Sequence, residues 1–110
     1  MPLLSIESNC SPSADIVKTA SAKVAEALGK PEQYVMVRYT HNPDMLFAGT
    51  NEPLAYLELK SIGLPDSATA DLSAMLCDLL NEQLGIATDR IYIEFKNAPR
   101  QLWGWNRATF

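Results

Sequence analysis

Hydrophobic positions along this 110-residue chain follow one plan twice. In residues 15–29 (DIVKTASAKVAEALG), Ile16, Val17, Ala20, Val24, Ala27 and Leu28 recur at helical spacing. In residues 71–85 (DLSAMLCDLLNEQLG), Leu72, Met75, Leu76, Leu79, Leu80 and Leu84 do the same. That period predicts two amphipathic helices, each with one buried stripe. Ser11 followed by Pro12 suits an N-cap and first turn, and Asp66 or Ser67 can cap the second helix. Gly29 and Gly85 suit the left-handed position that closes a helix. Before each helix lies a strand candidate, Pro2 to Ser8 and Leu54 to Ile62, the latter alternating Leu57 and Leu59 with Glu58 and Lys60. After each comes another, Tyr34 to Thr40 and Arg90 to Phe95.

The fold class is therefore α/β (α+β), a single domain over residues 1–110 made of two β-α-β repeats. Right-handed crossovers place both helices on one face of a four-stranded sheet. Val35, Val37, Ile91 and Ile93 alternate with Tyr34, Met36 and Tyr92, so both faces of these strands carry apolar or aromatic groups. One helix layer cannot cover both, which predicts oligomerisation through the uncovered face. Between the repeats, HNPDMLFAGTNEP carries turn signals and a short strand candidate at Met45 to Phe47. The tail NAPRQLWGWNRATF is too apolar to be left in water. It is expected to pack on the sheet or on a neighbouring subunit, where paired aromatics could wall a pocket.

A chain of this length should bury roughly 65% of its unfolded surface without metal or disulfide staples. The net charge of −4 and nine scattered Lys and Arg residues argue against nucleic-acid binding. Residues 2–6 are too short and too polar for a signal peptide, and no run approaches the roughly 18 apolar residues of a membrane helix. No membrane association is expected, and the expected location is cytoplasmic. Cys10 and Cys77 are far apart with no CxxC, and Cys77 falls on an apolar helical position, as a small buried hydrophobe would. Neither is assigned a redox role.

Standard catalytic sets are absent. His41, the only histidine, precedes Asn-Pro in a turn, where it reads as a solvated loop residue. Asp15, Asp44, Asp66 and Asp71 stand at turns or helix starts, where capping accounts for them. There is no metal-ligand cluster and no glycine-rich phosphate loop, so no metal or cofactor is expected. What remains is Pro2, which becomes a terminal secondary amine once Met1 is removed. While Met1 is attached, its nitrogen is a tertiary amide without basicity. Lys30, by itself, would serve the carbonyls of the helix it follows. Tyr92 and Trp105, by themselves, would be core or interface aromatics. Together these residues offer a base, a cation for a carboxylate, a phenol and an aromatic wall.

At these residues the chain resembles the macrophage migration inhibitory factor family of the tautomerase superfamily. The resemblance covers the whole chain and is carried by MP at the start, GKPEQYVMVRY at 29–39, EP at 52–53, SIG at 61–63, DRIYIEF at 89–95, and GWN and TF near the end. It implies a homotrimer whose sheets form an inner barrel. It also implies a keto-enol tautomerase acting on small aromatic α-keto acids such as phenylpyruvate, with dopachrome-type compounds as surrogate substrates. Pro2 would be the general acid and base. Lys30 would pair with the substrate carboxylate, and the backbone N–H of Ile62 would bond the same group. Tyr92, from the adjacent subunit, would line the mouth, while Tyr34, Trp105 and Phe110 would hold the aryl ring.

Several positions depart from the family pattern. Glu94 stands where the animal cytokine has a substrate-contacting asparagine, Lys60 replaces a histidine, and Trp103 replaces a small aliphatic residue at the rim. Leu54 and Leu57 occupy the positions of the animal protein's CxxC, so its thiol-disulfide activity is not carried over. The alternative function is a cytokine-like interaction protein, recognised by a protein receptor and secreted without a leader, on the same trimeric scaffold.

Overall fold

A computed structural model describes residues Met1–Phe110. The chain runs β1 (Leu3–Ser8), α1 (Ile16–Leu28), β2 (Met36–His41), β3 (Ala55–Ile62), α2 (Thr69–Leu84), β4 (Ile91–Ala98), then a terminal hairpin of β5 (Gly104–Trp105) and β6 (Ala108–Thr109). The main sheet has the order β2-β1-β3-β4. β1 pairs parallel with β2, and β3 parallel with β4. The two β-α-β halves meet antiparallel at β1 and β3, with Leu3 opposite Lys60 and Ser8 opposite Ala55. Two repeats, four strands and two helices on one face agree with the sequence pattern.

The core lies between that face and the helices. Leu4 and Ile6 of β1 and Leu57 and Leu59 of β3 are fully buried against Ile16, Ala20 and Val24 of α1 and Leu72, Leu76 and Leu80 of α2. Each such leucine taken from water contributes about 2 kcal/mol, which is why these alternating positions fix the register. Buried Ser8 joins the halves: its hydroxyl donates to the Leu54 carbonyl at 2.7 Å and accepts from the Cys10 N–H at 3.0 Å.

Helix starts differ from expectation. α1 begins at Ile16, well after Ser11 and Pro12; in the turn before it the Ser13 hydroxyl donates to Gln83 of α2 at 2.8 Å. Asp15 occupies the N-cap position without a side-chain capping bond. Neither Asp66 nor Ser67 caps α2; a single 3-10 turn over Asp66–Ala68 leads in, and the Thr69 hydroxyl donates to the Asp66 carbonyl at 2.8 Å. The buried stripe of α1 is narrower than predicted, since Val17 and Ala27 are exposed. Cys77 is only half-buried.

Strand limits shift too. Glu32–Tyr34 form a 3-10 turn, with the Tyr34 N–H bonded to the Pro31 carbonyl at 3.1 Å, so β2 starts at Met36. β4 runs three residues past Phe95. At Met45 to Phe47 there is no strand, only a single bridge between Phe47 and Thr50. His41 is the exposed last residue of β2, its ring Nε2 3.3 Å from the Asn9 carbonyl.

The helix-free face is more polar than the alternation on the outer strands suggested. The central strands place Ser5, Glu7, Glu58 and Lys60 there beside Arg38, Glu94 and Lys96, so charge runs through an otherwise apolar and aromatic set that includes Leu3, Met36, Tyr56 and Tyr92. Tyr56 lies within 3.2 Å of Glu58 and 3.4 Å of Glu94 through its hydroxyl.

Candidate functional site

Pro2 is fully buried at the head of β1, and its carbonyl accepts the Met36 N–H at 3.0 Å, which ties the chain start to β2. Lys30 is carried to the same end of the sheet by the end of α1. Gly29 takes φ +63°, and the Lys30 N–H bonds back to the Ala25 carbonyl at 3.0 Å, turning the chain sharply off the helix. The Lys30 ammonium then donates to the carbonyl of Ile62, the last residue of β3, at 3.2 Å. Only one of its three protons is used in this bond. Gly63 follows at φ +75°, and its N–H donates to Asn97 Oδ1 at 3.0 Å, which fixes the β3 terminus against β4.

These ends border a cavity of about 430 Å³ with Lys30, Ile62, Gly63, Ala98, Pro99 and Arg100 in its wall. A second cavity of about 370 Å³ adjoins it, lined by Pro2, Tyr34, Trp103 and Trp105 among others. Met1 and Phe110 line both. The terminal hairpin supplies the aromatic wall. Asn106 and Arg107 both take positive φ, 50° and 69°, in a tight two-residue turn that folds Phe110 back beside Trp105. Trp105 stacks on Phe110 at 5.5 Å, and Tyr34 meets both edge-on at 5.6 and 6.5 Å. The tail thus packs on its own chain.

The α-amine of Met1, one residue ahead of the Pro2 nitrogen, has its pKa lowered from the ordinary 8.0, first by burial and then by the positive charge of Lys30. Both causes disfavour a cation at this end of the sheet. An amine here therefore holds a neutral, proton-accepting form at lower pH than in a free peptide.

Of the residues singled out in the sequence, Pro2, Lys30, Ile62, Tyr34, Trp103, Trp105 and Phe110 come together at this end. Tyr92 and Glu94 do not. The β3–β4 register puts Ala98 beside Ile62 and Tyr92 beside Tyr56, so Tyr92 lies six residues, or about 20 Å, from the cavity end of its strand. It is 66% exposed and packs on Phe47 at 4.7 Å, lining an apolar recess with Met45 and Leu46. Sequence reasoning missed Arg100, which lines the same cavity as Lys30; only the β3–β4 register reveals it.

Two β-α-β halves meeting antiparallel, with the chain start sunk between a lysine and an aromatic wall, define the architecture of the tautomerase superfamily. Within it, the chain belongs to the macrophage migration inhibitory factor family, whose model matches residues 1–110. The chain is similar to macrophage migration inhibitory factor of Mus musculus, 35% identical with 100% of this chain and 99% of the mouse protein covered. The homologue of Brugia malayi is 38% identical over 100% of this chain and 99% of its own length. Among solved structures, the homologue from Prochlorococcus marinus superposes with a TM-score of 0.92 at 44% identity, covering 98% of each chain. The Trichinella spiralis protein superposes with a TM-score of 0.94 at 36% identity, covering 98% of this chain and 99% of that one.

Proposed function

We propose that this protein is a keto-enol tautomerase of phenylpyruvate-like α-keto acids, with Pro2 as its general acid and base once Met1 is removed. The observation that carries this reading is the meeting of a depressed terminal amine, the Lys30 ammonium and an apolar, aromatic-walled cavity at one end of the sheet. Removing Met1 has two effects. It exposes a basic secondary amine, and it takes away a residue that lines both cavities.

In the proposed reaction the neutral Pro2 nitrogen takes a proton from the carbon next to the ketone. The electrons of that C–H bond form the new C=C bond as the carbonyl becomes an enolate. The protonated amine then returns the proton to the enolate oxygen, or the sequence runs in reverse. Lys30 and the Ile62 N–H hold the carboxylate, and Tyr34, Trp105 and Phe110 hold the ring, with Trp103 narrowing the rim. Tyr92 and Glu94 reach a site only from a neighbouring chain, because their own chain carries them about 20 Å and 13 Å from the cavity end of β4. This supports a ring in which one protomer's exposed Tyr92 end meets the cavity end of the next, a homotrimer by family resemblance.

The test is phenylpyruvate turnover with intact mass on the same sample. Turnover should scale with the fraction lacking Met1 and fall about 10²–10⁴-fold in Pro2→Gly, with the oligomer intact. Fully processed oligomer without turnover would overturn the proposal. A second reading, a cytokine-like protein bound by a receptor, is favoured by the names of the full-length relatives. Partner binding that survives Pro2→Gly would support it.

A further inference from the structure

The 430 Å³ cavity has two cationic side chains in its wall, Lys30 and Arg100, and no acidic one. The first is accounted for by a substrate carboxylate. The second is not, and its backbone is fixed by the turn that follows β4. The β3–β4 pairing sets Ala98 beside Ile62, so the chain leaves β4 at the cavity edge. Pro99 follows at φ −65°, and the next turn is closed by the Leu102 N–H on the Pro99 carbonyl at 3.0 Å and the Trp103 N–H on the Arg100 carbonyl at 3.2 Å. Arg100 thus stands on a locked turn at the end of a strand and not on a free loop.

A sphere of 430 Å³ is about 9 Å across, a normal size for a small-ligand site, so both cations border a space that an aryl ring bearing an acidic group at each end would span. A monocarboxylate offsets one of the two side-chain charges, and no acidic side chain of this chain lines the cavity to offset the other. A planar guanidinium matches a carboxylate in shape as well as charge.

Building on the tautomerase reading, we propose that the site is built for a dicarboxylate 2-oxo acid, with Lys30 holding the carboxylate beside the ketone and Arg100, in the same wall, holding a second one. Arg100 is then the residue that sets substrate class, separating dianionic from monoanionic keto acids.

Binding and turnover test this separately on the processed full-length protein. Quenching of Trp103 and Trp105 fluorescence would be followed with two ligands that cannot turn over, phenylacetate and 4-carboxyphenylacetate. The wild type should bind the dianion about fivefold more tightly, as expected for a charge-assisted contact at a partly open rim. Arg100→Ala should bring that ratio to about one, and Arg100→Lys should restore part of it. Equal affinity of the wild type for both ligands would overturn the proposal, and so would a preference untouched by Arg100→Ala. The kcat/KM ratio of 4-carboxyphenylpyruvate to phenylpyruvate should follow the same order. If the binding ratio behaves as stated and neither keto acid turns over, the tautomerase reading fails and the dianion site remains.

Discussion

Replacing Arg90 with alanine should cost this protein about 3 kcal/mol, although the residue sits in no core and touches no ligand. Its guanidinium gathers the loop between β2 and β3: Nε donates to the Pro53 carbonyl at 3.0 Å, Nη1 to Phe47 at 3.0 Å, and Nη2 to Thr50 and Glu52 at 3.2 and 3.1 Å. It also lies 5.3 Å over the Phe47 ring. Three of these bonds are exposed and contribute about 0.5 kcal/mol each, the half-buried bond to Phe47 about 1 kcal/mol, and the cation–ring contact about 0.5 kcal/mol. For a domain of this size, a loss of 3 kcal/mol lowers Tm by roughly 13 °C at fixed protein concentration. Urea unfolding should show a lower midpoint with an unchanged slope, and hydrogen exchange should quicken at residues 47–53. Arg90→Lys should recover under half of the loss, since an ammonium cannot reach four carbonyls at once. A loss below 1 kcal/mol, or unchanged exchange in the loop, would refute the clamp. The same substitution tests function, because Phe47 backs Tyr92. If Tyr92 completes a neighbour's site, Arg90→Ala should also raise KM.

Two further predictions address the site. Lys30→Met should raise the pKa of the Met1 amine, because Lys30 opposes a second positive charge there while the larger effect of burial stays; with Pro2 as the base after processing, the same loss of charge should move the acid limb of the kcat/KM profile to higher pH. A titration of the terminal nitrogen by NMR checks the sign, and a shift to lower pH would contradict it. Subunit sharing can be read by co-refolding Pro2→Gly with Tyr92→Ala in equal amounts. About one quarter of sites in random trimers would combine an intact Pro2 with an intact neighbouring Tyr92, so turnover should rise above the mean of the two parents. No rise would place both residues' roles within one chain.

The repeat was legible because its signals are local and redundant. Apolar spacing at Leu72, Leu76 and Leu80, alternation at Leu57 and Leu59, and glycine at helix ends all point the same way. Helix starts were less legible, since a serine can satisfy a distant partner as readily as a local N–H, as Ser13 does with Gln83. Tyr34 could not be recognised as a turn residue from its aromatic character, which serves the Trp105 and Phe110 cluster and not a strand. At the site, Pro2 and Lys30 were visible through their chemistry and their positions at a chain start and a helix end. Arg100 carried no such mark. Its place depends on how β4 registers against β3, which is a property of the pair and not of either segment.

The two halves of the chain are related by an approximate twofold axis between β1 and β3, and that symmetry has a limit set by covalent structure. Pro53, which opens the second half as Pro2 opens the first, sits inside the polypeptide and can never become an amine. Duplicating the scaffold doubles the helices and strands but not the terminal nitrogen that the proposed reaction uses, because a polypeptide has a single beginning. Centres of the proposed kind can be multiplied only by adding whole molecules, so on that reading their number in any assembly equals its count of chains.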